Sequence, residues 1–73
     1  MDLRPAFGKR LRALRTRLGL SQEKLAERAG LHWTYVSSVE RGKRNPGLNS
    51  IGRLAKALGV TPSQLLRGVG PAE

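Results

Sequence analysis

Thr34, Ser37, Ser38 and Arg41 fall on one side of a single helix when the chain after residue 32 is projected at about 100° per residue. Val36, Val39 and Glu40 fall on the opposite side, with Trp33 and Tyr35 on the flanks. Small hydroxyl side chains pack poorly, but they donate to or accept from base edges, and a threonine methyl touches a thymine methyl. The plainer alternative is a solvated face with Trp33 tucked into the edge of a core. Charge placement favours the first reading. Arg41, Lys43 and Arg44 follow directly, where the chain would run past a phosphate backbone. Side chains that neutralise phosphates release counterions, which adds affinity without sequence information. Glu40 beside the valine face needs a partner, because a half-buried carboxylate without one is costly. The arginines of the first helix are the candidates.

The elements that must position this face are short. Leu3, Phe7, Leu11, Leu14 and Leu18 recur in steps of four, four, three and four, which is one stripe of an α-helix. Pro5 suits its first turn and Gly19 its end. Arg4, Lys9, Arg10, Arg12, Arg15 and Arg17 occupy the other faces, where solvation is the simple reading. Ser21 is a natural N-cap for a second helix through Ala29, stopped by Gly30, with Leu25, Ala26 and Ala29 inward. The N–H groups at its start and the Gln22 amide form a natural phosphate seat. A third helix begins near His32 or Trp33 and stops at Gly42. Two short helices around the tight Gly30-Leu31-His32 turn make a helix-turn-helix pattern, running from Ser21 to Arg41. After a loop over residues 42–47, Leu48, Ile51, Leu54, Ala55 and Leu58 mark a fourth helix closed by Gly59. Thr61-Pro62-Ser63-Gln64 is a capping box that opens a short fifth helix bearing Leu65 and Leu66. Residues 68–73 read as a frayed tail. Nothing alternates as a strand would, so the sequence predicts an all-α class: five helices in one domain over residues 1–73, with a core over about 5–67.

Size and charge bound the function. At 73 residues there is room for one modest core, since a chain this short buries only about 60% of its unfolded surface. Phe7, Trp33 and Tyr35 are the only aromatic residues, so aliphatic side chains must build most of that core. There is no cysteine, which excludes disulfides and thiolate metal sites. Lys and Arg number 14 against 5 acids, a formal charge of +9. That balance predicts a polyanionic partner, nucleic acid first and an anionic membrane second. The membrane reading leaves the polar face of the third helix unexplained. Apolar runs fall far short of the roughly 20 residues needed to span a bilayer, and the start, Met1-Asp2-Leu3-Arg4-Pro5, lacks the apolar stretch of a secretory signal. The expectation is a soluble, cytoplasmic, nucleoid-associated chain with no membrane role. One histidine and scattered acids do not assemble a nucleophile–base pair or a metal cluster, so no enzyme activity, metal or cofactor is expected.

Leu18-Gly19-Leu20-Ser21-Gln22-Glu23-Lys24-Leu25-Ala26 resembles the start of the helix-turn-helix in the lambda-repressor/Cro-like (XRE-type) family of transcriptional regulators. The run from Tyr35 to Pro46 is similar to that family's recognition helix and following loop, and Leu54 to Val60 to its fourth helix. The resemblance extends over roughly Phe7 to Leu66. It implies a compact five-helix domain that binds double-stranded DNA in a sequence-specific way, as a small repressor or controller, with the recognition helix in the major groove. Position by position, it implies base contacts from Trp33, Thr34 and Ser38, with Ser37 beside them. It implies phosphate or sugar contacts from Gln22, Tyr35, Arg41, Lys43, Arg44 and Asn45, with Gln22 also bracing the recognition helix. Glu40 matches an acid that pairs with a first-helix arginine, here Arg15. The family generally binds as a two-fold dimer through its last helix, which points to Leu65, Leu66 and Val69 as the interface of a homodimer on a near-palindromic operator; completion of the core is the other use for those three. Protein partners such as a toxin or RNA polymerase, and an adaptor role in place of DNA reading, are further uses known in the family.

Two positions depart from the family pattern. His32 stands where a Ser, Thr or Asp N-cap is common, so capping of the third helix is either weakened or shared, or His32 meets a phosphate. Trp33 stands where Arg, Gln or Ser is frequent. An indole has one donor and no acceptor, which leaves it apolar contact with thymine methyls or sugars, or a covering role over the second helix.

Overall fold

A helix stripe buries only where a neighbouring helix covers it, and the first helix illustrates this. The computed structural model describes residues 1–71 and, among them, contains helices α1 (Arg4–Arg17), α2 (Gln22–Ala29), α3 (Trp33–Glu40), α4 (Leu48–Leu58) and α5 (Pro62–Leu65), with no strand. In α1 the central positions Phe7, Leu11 and Leu14 are buried, whereas Leu3 and Leu18 at its margins are about half exposed. The expected five-residue stripe is therefore three residues deep, because its ends run past the helices that cover it. Leu48 departs from expectation for the same reason. It is the first residue of α4 and lies 81% exposed, while Leu54, Ala55 and Leu58 face inward.

The core joins these residues to Leu25, Ala26 and Ala29 of α2, Val36 and Val39 of α3, and Leu65 of α5. Helix α3 packs between α1 and α2, α4 lies against α2, and α5 closes the bundle against α1 and α4. The whole measures 34 × 22 × 21 Å. Its helix ends are set by local chemistry. The Ser21 hydroxyl accepts the Lys24 N–H at 3.0 Å. Thr61 and Gln64 form the expected reciprocal box: the Thr61 hydroxyl accepts the Gln64 N–H at 3.1 Å, and the Gln64 side chain accepts the Thr61 N–H at 2.8 Å. Arg10 donates to the Gln64 carbonyl at 2.7 Å, a tie between α1 and α5 that the sequence does not announce. At the other end of α1, Asp2 accepts from both the backbone and the side chain of Arg4, and this pairing holds its carboxyl down at about 2.

The turn between α2 and α3 is built from three different devices. Gly30 adopts a left-handed conformation (φ 68°), and the Leu31 N–H then reaches back to the Ala26 carbonyl at 2.9 Å, a Schellman closure. Leu31 packs against the core. His32 is extended, and its ring nitrogen Nδ1 accepts the Thr34 N–H at 3.2 Å. The departure from the usual capping residues is thereby resolved: His32 caps α3 itself, with a nitrogen lone pair in place of an oxygen. At the tail, Val69 packs against the core and donates its N–H to Leu66. Ala72 and Glu73, the last residues of the expected frayed tail, lie outside the described residues.

Gly8 sets the distance between α1 and α3. A Cβ there would sit 2.5 Å from the Glu40 carbonyl oxygen and 2.6 Å from that of Val39, both backbone atoms with no rotamer to yield. Gly52, inside α4, has open space where its Cβ would be. Helix propensity favours alanine over glycine by about 1 kcal/mol at both sites, but overpacking costs about 1–3 kcal/mol. Urea unfolding should thus separate them: Gly52→Ala gains about 0.5–1 kcal/mol, and Gly8→Ala loses about 2 kcal/mol, the clash outweighing the propensity.

Candidate nucleic-acid interface

The C-terminal end of α3 is fixed by a partly buried ion pair. Arg15 of α1 grips Glu40 in a two-pronged arrangement, Nε to Oε2 at 2.6 Å and Nη2 to Oε1 at 2.9 Å. The two side chains are 11% and 3% exposed. The remaining Arg15 nitrogen donates to the Leu20 carbonyl at 2.7 Å, and the Gln22 amide donates to Glu40 Oε1 at 3.2 Å. Four chain segments meet here: α1, the α1–α2 turn, the start of α2 and the end of α3. The hydrogen bond to Glu40 raises the Arg15 pKa still further above the usual arginine value, so the guanidinium stays charged.

Gln22 is consequently engaged on the inside. One of its amide hydrogens holds Glu40, which leaves the other to donate elsewhere. The outer face of α3 is otherwise open. Thr34 is exposed, Ser37 and Ser38 are half-buried, and Trp33 is 47% exposed, facing solvent across much of its surface instead of covering α2 completely. The Thr34 hydroxyl lies 2.8 Å from His32 Nδ1. Beyond the helix, Arg41, Lys43, Arg44 and Asn45 are all exposed. Their backbone is not loose: the Gly42 N–H bonds to Val39 and the Lys43 N–H to Ser38, at 3.0 and 2.9 Å. Gly42 makes this possible with φ 73° and a close approach to Pro5 that a side chain would crowd. The Arg44 guanidinium stands over the Tyr35 ring, 5.1 Å from its centroid, a cation–π contact that links the loop to the helix flank. Arg41 Nε turns back to the Ser37 carbonyl at 3.4 Å.

The result is one surface on which a nearly neutral, hydroxyl-bearing helix is bordered by cations. Thr34, Ser37, Ser38 and Trp33 share α3, and Tyr35, Arg41, Lys43, Arg44 and Asn45 line its flank and exit. Leu65, grouped by sequence with a dimer surface, is fully buried within the single chain and belongs to its core; Leu66 is 38% exposed and Val69 is partly buried. Among the described residues no group of His, Asp or Glu is placed to hold a metal ion, and no helix is long and apolar enough to cross a membrane.

The helix-turn-helix family model matches residues 11–65, which takes in α2, α3 and the whole arginine–glutamate clamp except its approach through Gly8. The chain belongs to the lambda-repressor/Cro-like helix-turn-helix family. Members are DNA-binding transcription regulators. The chain is 47% identical to the control protein C.BamHI of Bacillus amyloliquefaciens over 89% of its own length and 82% of that protein's. The crystal structure of the restriction-modification controller protein C.AhdI from Aeromonas hydrophila is similar with a TM-score of 0.82 and 55% identity, covering 88% of this chain and 96% of that one. A chain of the SinR protein/SinI protein complex is also similar, with a TM-score of 0.80 and 33% identity over 85% of this chain and 61% of that one.

Removing one member of a buried, hydrogen-bonded ion pair leaves the other desolvated and unpaired, at a cost of about 3–5 kcal/mol. Glu40→Leu and Arg15→Met should each lower the unfolding free energy by about 3 kcal/mol. The double variant should lose clearly less than the two added together, because it strands neither charge. Equal or greater loss in the double variant would show that the pair is not acting as a unit.

Proposed function

We propose that the chain is a sequence-specific, double-stranded DNA-binding transcriptional regulator of the small repressor or controller type, with α3 in the major groove. The observation that carries this reading is the division of chemistry on one surface. Base-reading groups sit on a helix whose only charge, Glu40, is turned inward and neutralised by Arg15, while exposed cations flank it. Thr34, Ser38 and Ser37 meet base edges, and Trp33 lies against thymine methyls or sugar. Gln22, through its second amide hydrogen, and Tyr35, Arg41, Lys43, Arg44 and Asn45 hold the phosphates. The residues 1–73 act as one domain in this reading, working in the cytoplasm at the nucleoid. Likeness to C.BamHI and C.AhdI favours the restriction-modification controller context.

Affinity and specificity should then separate by mutation. Arg44→Ala is expected to weaken all duplexes about equally and to reduce the slope of log K against log salt by about 1. Thr34→Ala should flatten the preference at one base pair, by about 1–3 kcal/mol, with little change in salt slope. Binding assays on selected and random duplexes at several salt concentrations read both effects. A uniform loss from both substitutions would remove α3 from base readout and favour an adaptor role.

The dimer reading has a specific support in the apolar surface around α5. A groove of about 300 Å³ is lined by Met1, Leu3, Phe7, Ile51, Leu66 and Val69, together with polar neighbours. Leu66 and Val69 would face a second copy there, with Leu65 behind them in the core. Two-fold pairing places recognition helices about 34 Å apart, on successive major grooves. Sedimentation should show a dimer that Leu66→Glu shifts to monomer without unfolding it. A wild-type monomer both free and on operator-length duplex would overturn the dimer. The SinR protein/SinI protein complex supports a protein partner as a second mode of control.

A further inference from the structure

We infer that His32 sets the hydrogen-bond polarity of Thr34, making its hydroxyl an acceptor toward DNA and biasing it to adenine and cytosine, the bases that present an amino group in the major groove. This deepens, and rests on, the assignment of α3 to base readout. The argument begins with a group that has no choice. A backbone N–H can only donate, and that of Thr34 points to His32 Nδ1 at 3.2 Å. Nδ1 must therefore carry the lone pair, and the proton of the neutral ring sits on Nε2.

The Thr34 hydroxyl lies 2.8 Å from that same nitrogen. Facing a lone pair, the hydroxyl must donate, so its one proton is directed at His32. Both oxygen lone pairs are left for whatever approaches from solvent, and Thr34 is exposed. In the major groove the hydrogens available to such an acceptor are those of adenine N6 and cytosine N4; guanine and thymine present acceptors at the corresponding places. Every base pair presents one amino group in the major groove, so the preference reads which strand bears it, the orientation of the pair. A threonine without this neighbour rotates its hydroxyl to suit either kind of edge. His32 is thus a positioning residue, acting through Thr34, and its role as helix cap and its role in specificity use one lone pair.

Two measurements test this. Nitrogen-15 NMR of the free wild-type protein, in mildly alkaline buffer, should show the His32 proton on Nε2 and none on Nδ1. A proton on Nδ1 overturns the inference and leaves DNA reading intact. Random-duplex selection is then run with the wild type, Thr34→Val, His32→Ala and His32→Asn. The base pair whose preference Thr34→Val abolishes should be held in one orientation by the wild type, with the strand that carries adenine or cytosine fixed. Deleting the exocyclic amino group of that base should weaken wild-type binding roughly threefold to tenfold. His32→Asn, which keeps a capping acceptor, should retain the preference, and His32→Ala should admit that pair in either orientation. Equal enrichment of both orientations of that pair by the wild type, indifference to the amino group, or an unchanged preference in a folded His32→Ala would each overturn it. Because the amino-group deletion uses only wild-type protein, it decides the matter even where His32→Ala fails to fold. No enriched sequence at all would overturn the DNA-reading function itself.

Discussion

The Arg15–Glu40 pair is the contact on which the rest of this small fold depends. Two charges are withdrawn from water in a domain with little core to compensate, and such a pair seldom adds net stability over an apolar equivalent. What it supplies is placement. Arg15 satisfies three acceptors in fixed directions: two carboxylate oxygens on α3 and one carbonyl in the α1–α2 turn. Leucine side chains in the same volume would tolerate a rotation of α3 about its axis; a planar guanidinium holding a carboxylate at both oxygens does not. Gly8 makes the grip reachable, since any side chain there would hold the α3 backbone away from α1. The rotation of α3 decides which of its residues face outward, so the orientation of the reading face is set from the opposite, buried side.

This arrangement also separates two electrostatic demands. The chain carries a formal charge of +9, yet α3 contains no Lys or Arg between Trp33 and Glu40. Cations on a reading helix attach to any duplex, through phosphate, and dilute the difference between right and wrong sequences. In the proposed complex, Arg41, Lys43 and Arg44 at the exit hold the backbone while the neutral hydroxyls meet bases. The stacking of Arg44 on Tyr35 narrows where its guanidinium points, so part of the ordering is completed before DNA arrives.

Much of this was legible in the sequence, and the unread parts share physical causes. Helix number, the Ser21 and Thr61 caps, the Gly30 stop and the inward faces of α2 and α3 follow from local rules, and those elements lie where expected. Stripe membership is less local. Leu3, Leu18 and Leu48 have the right spacing, but burial at a helix end depends on how far a neighbouring helix extends. Leu65, for which the sequence leaves both a dimer surface and the core open, is buried for the converse reason, α5 being so short that its one inward leucine closes the core. Gly8 carried a signal, a glycine amid strong helix formers, whose meaning required knowing what packs there. The Arg15–Glu40 partnership came through family resemblance; charge alone offered several arginines. The bracing of the recognition helix by Gln22 likewise came through the resemblance, and only the structure shows that its partner there is Glu40.

The two ends of α3 are held unequally, and the difference bears on how such a domain acquires a new target sequence. At the C-terminal end stand the ion pair, the Gln22 bond and the Gly8 approach. At the N-terminal end stand one histidine cap and the packing of Leu31. A cap contributes about 1 kcal/mol, a broken buried pair several times that. The residues proposed to meet bases therefore sit where substitution disturbs the fold least. Trp33 and Thr34 bury nothing the core needs, so their replacement changes the surface offered to DNA while the clamp keeps it aimed. His32 is the exception at that end, because a single lone pair there serves both the helix and its neighbouring hydroxyl.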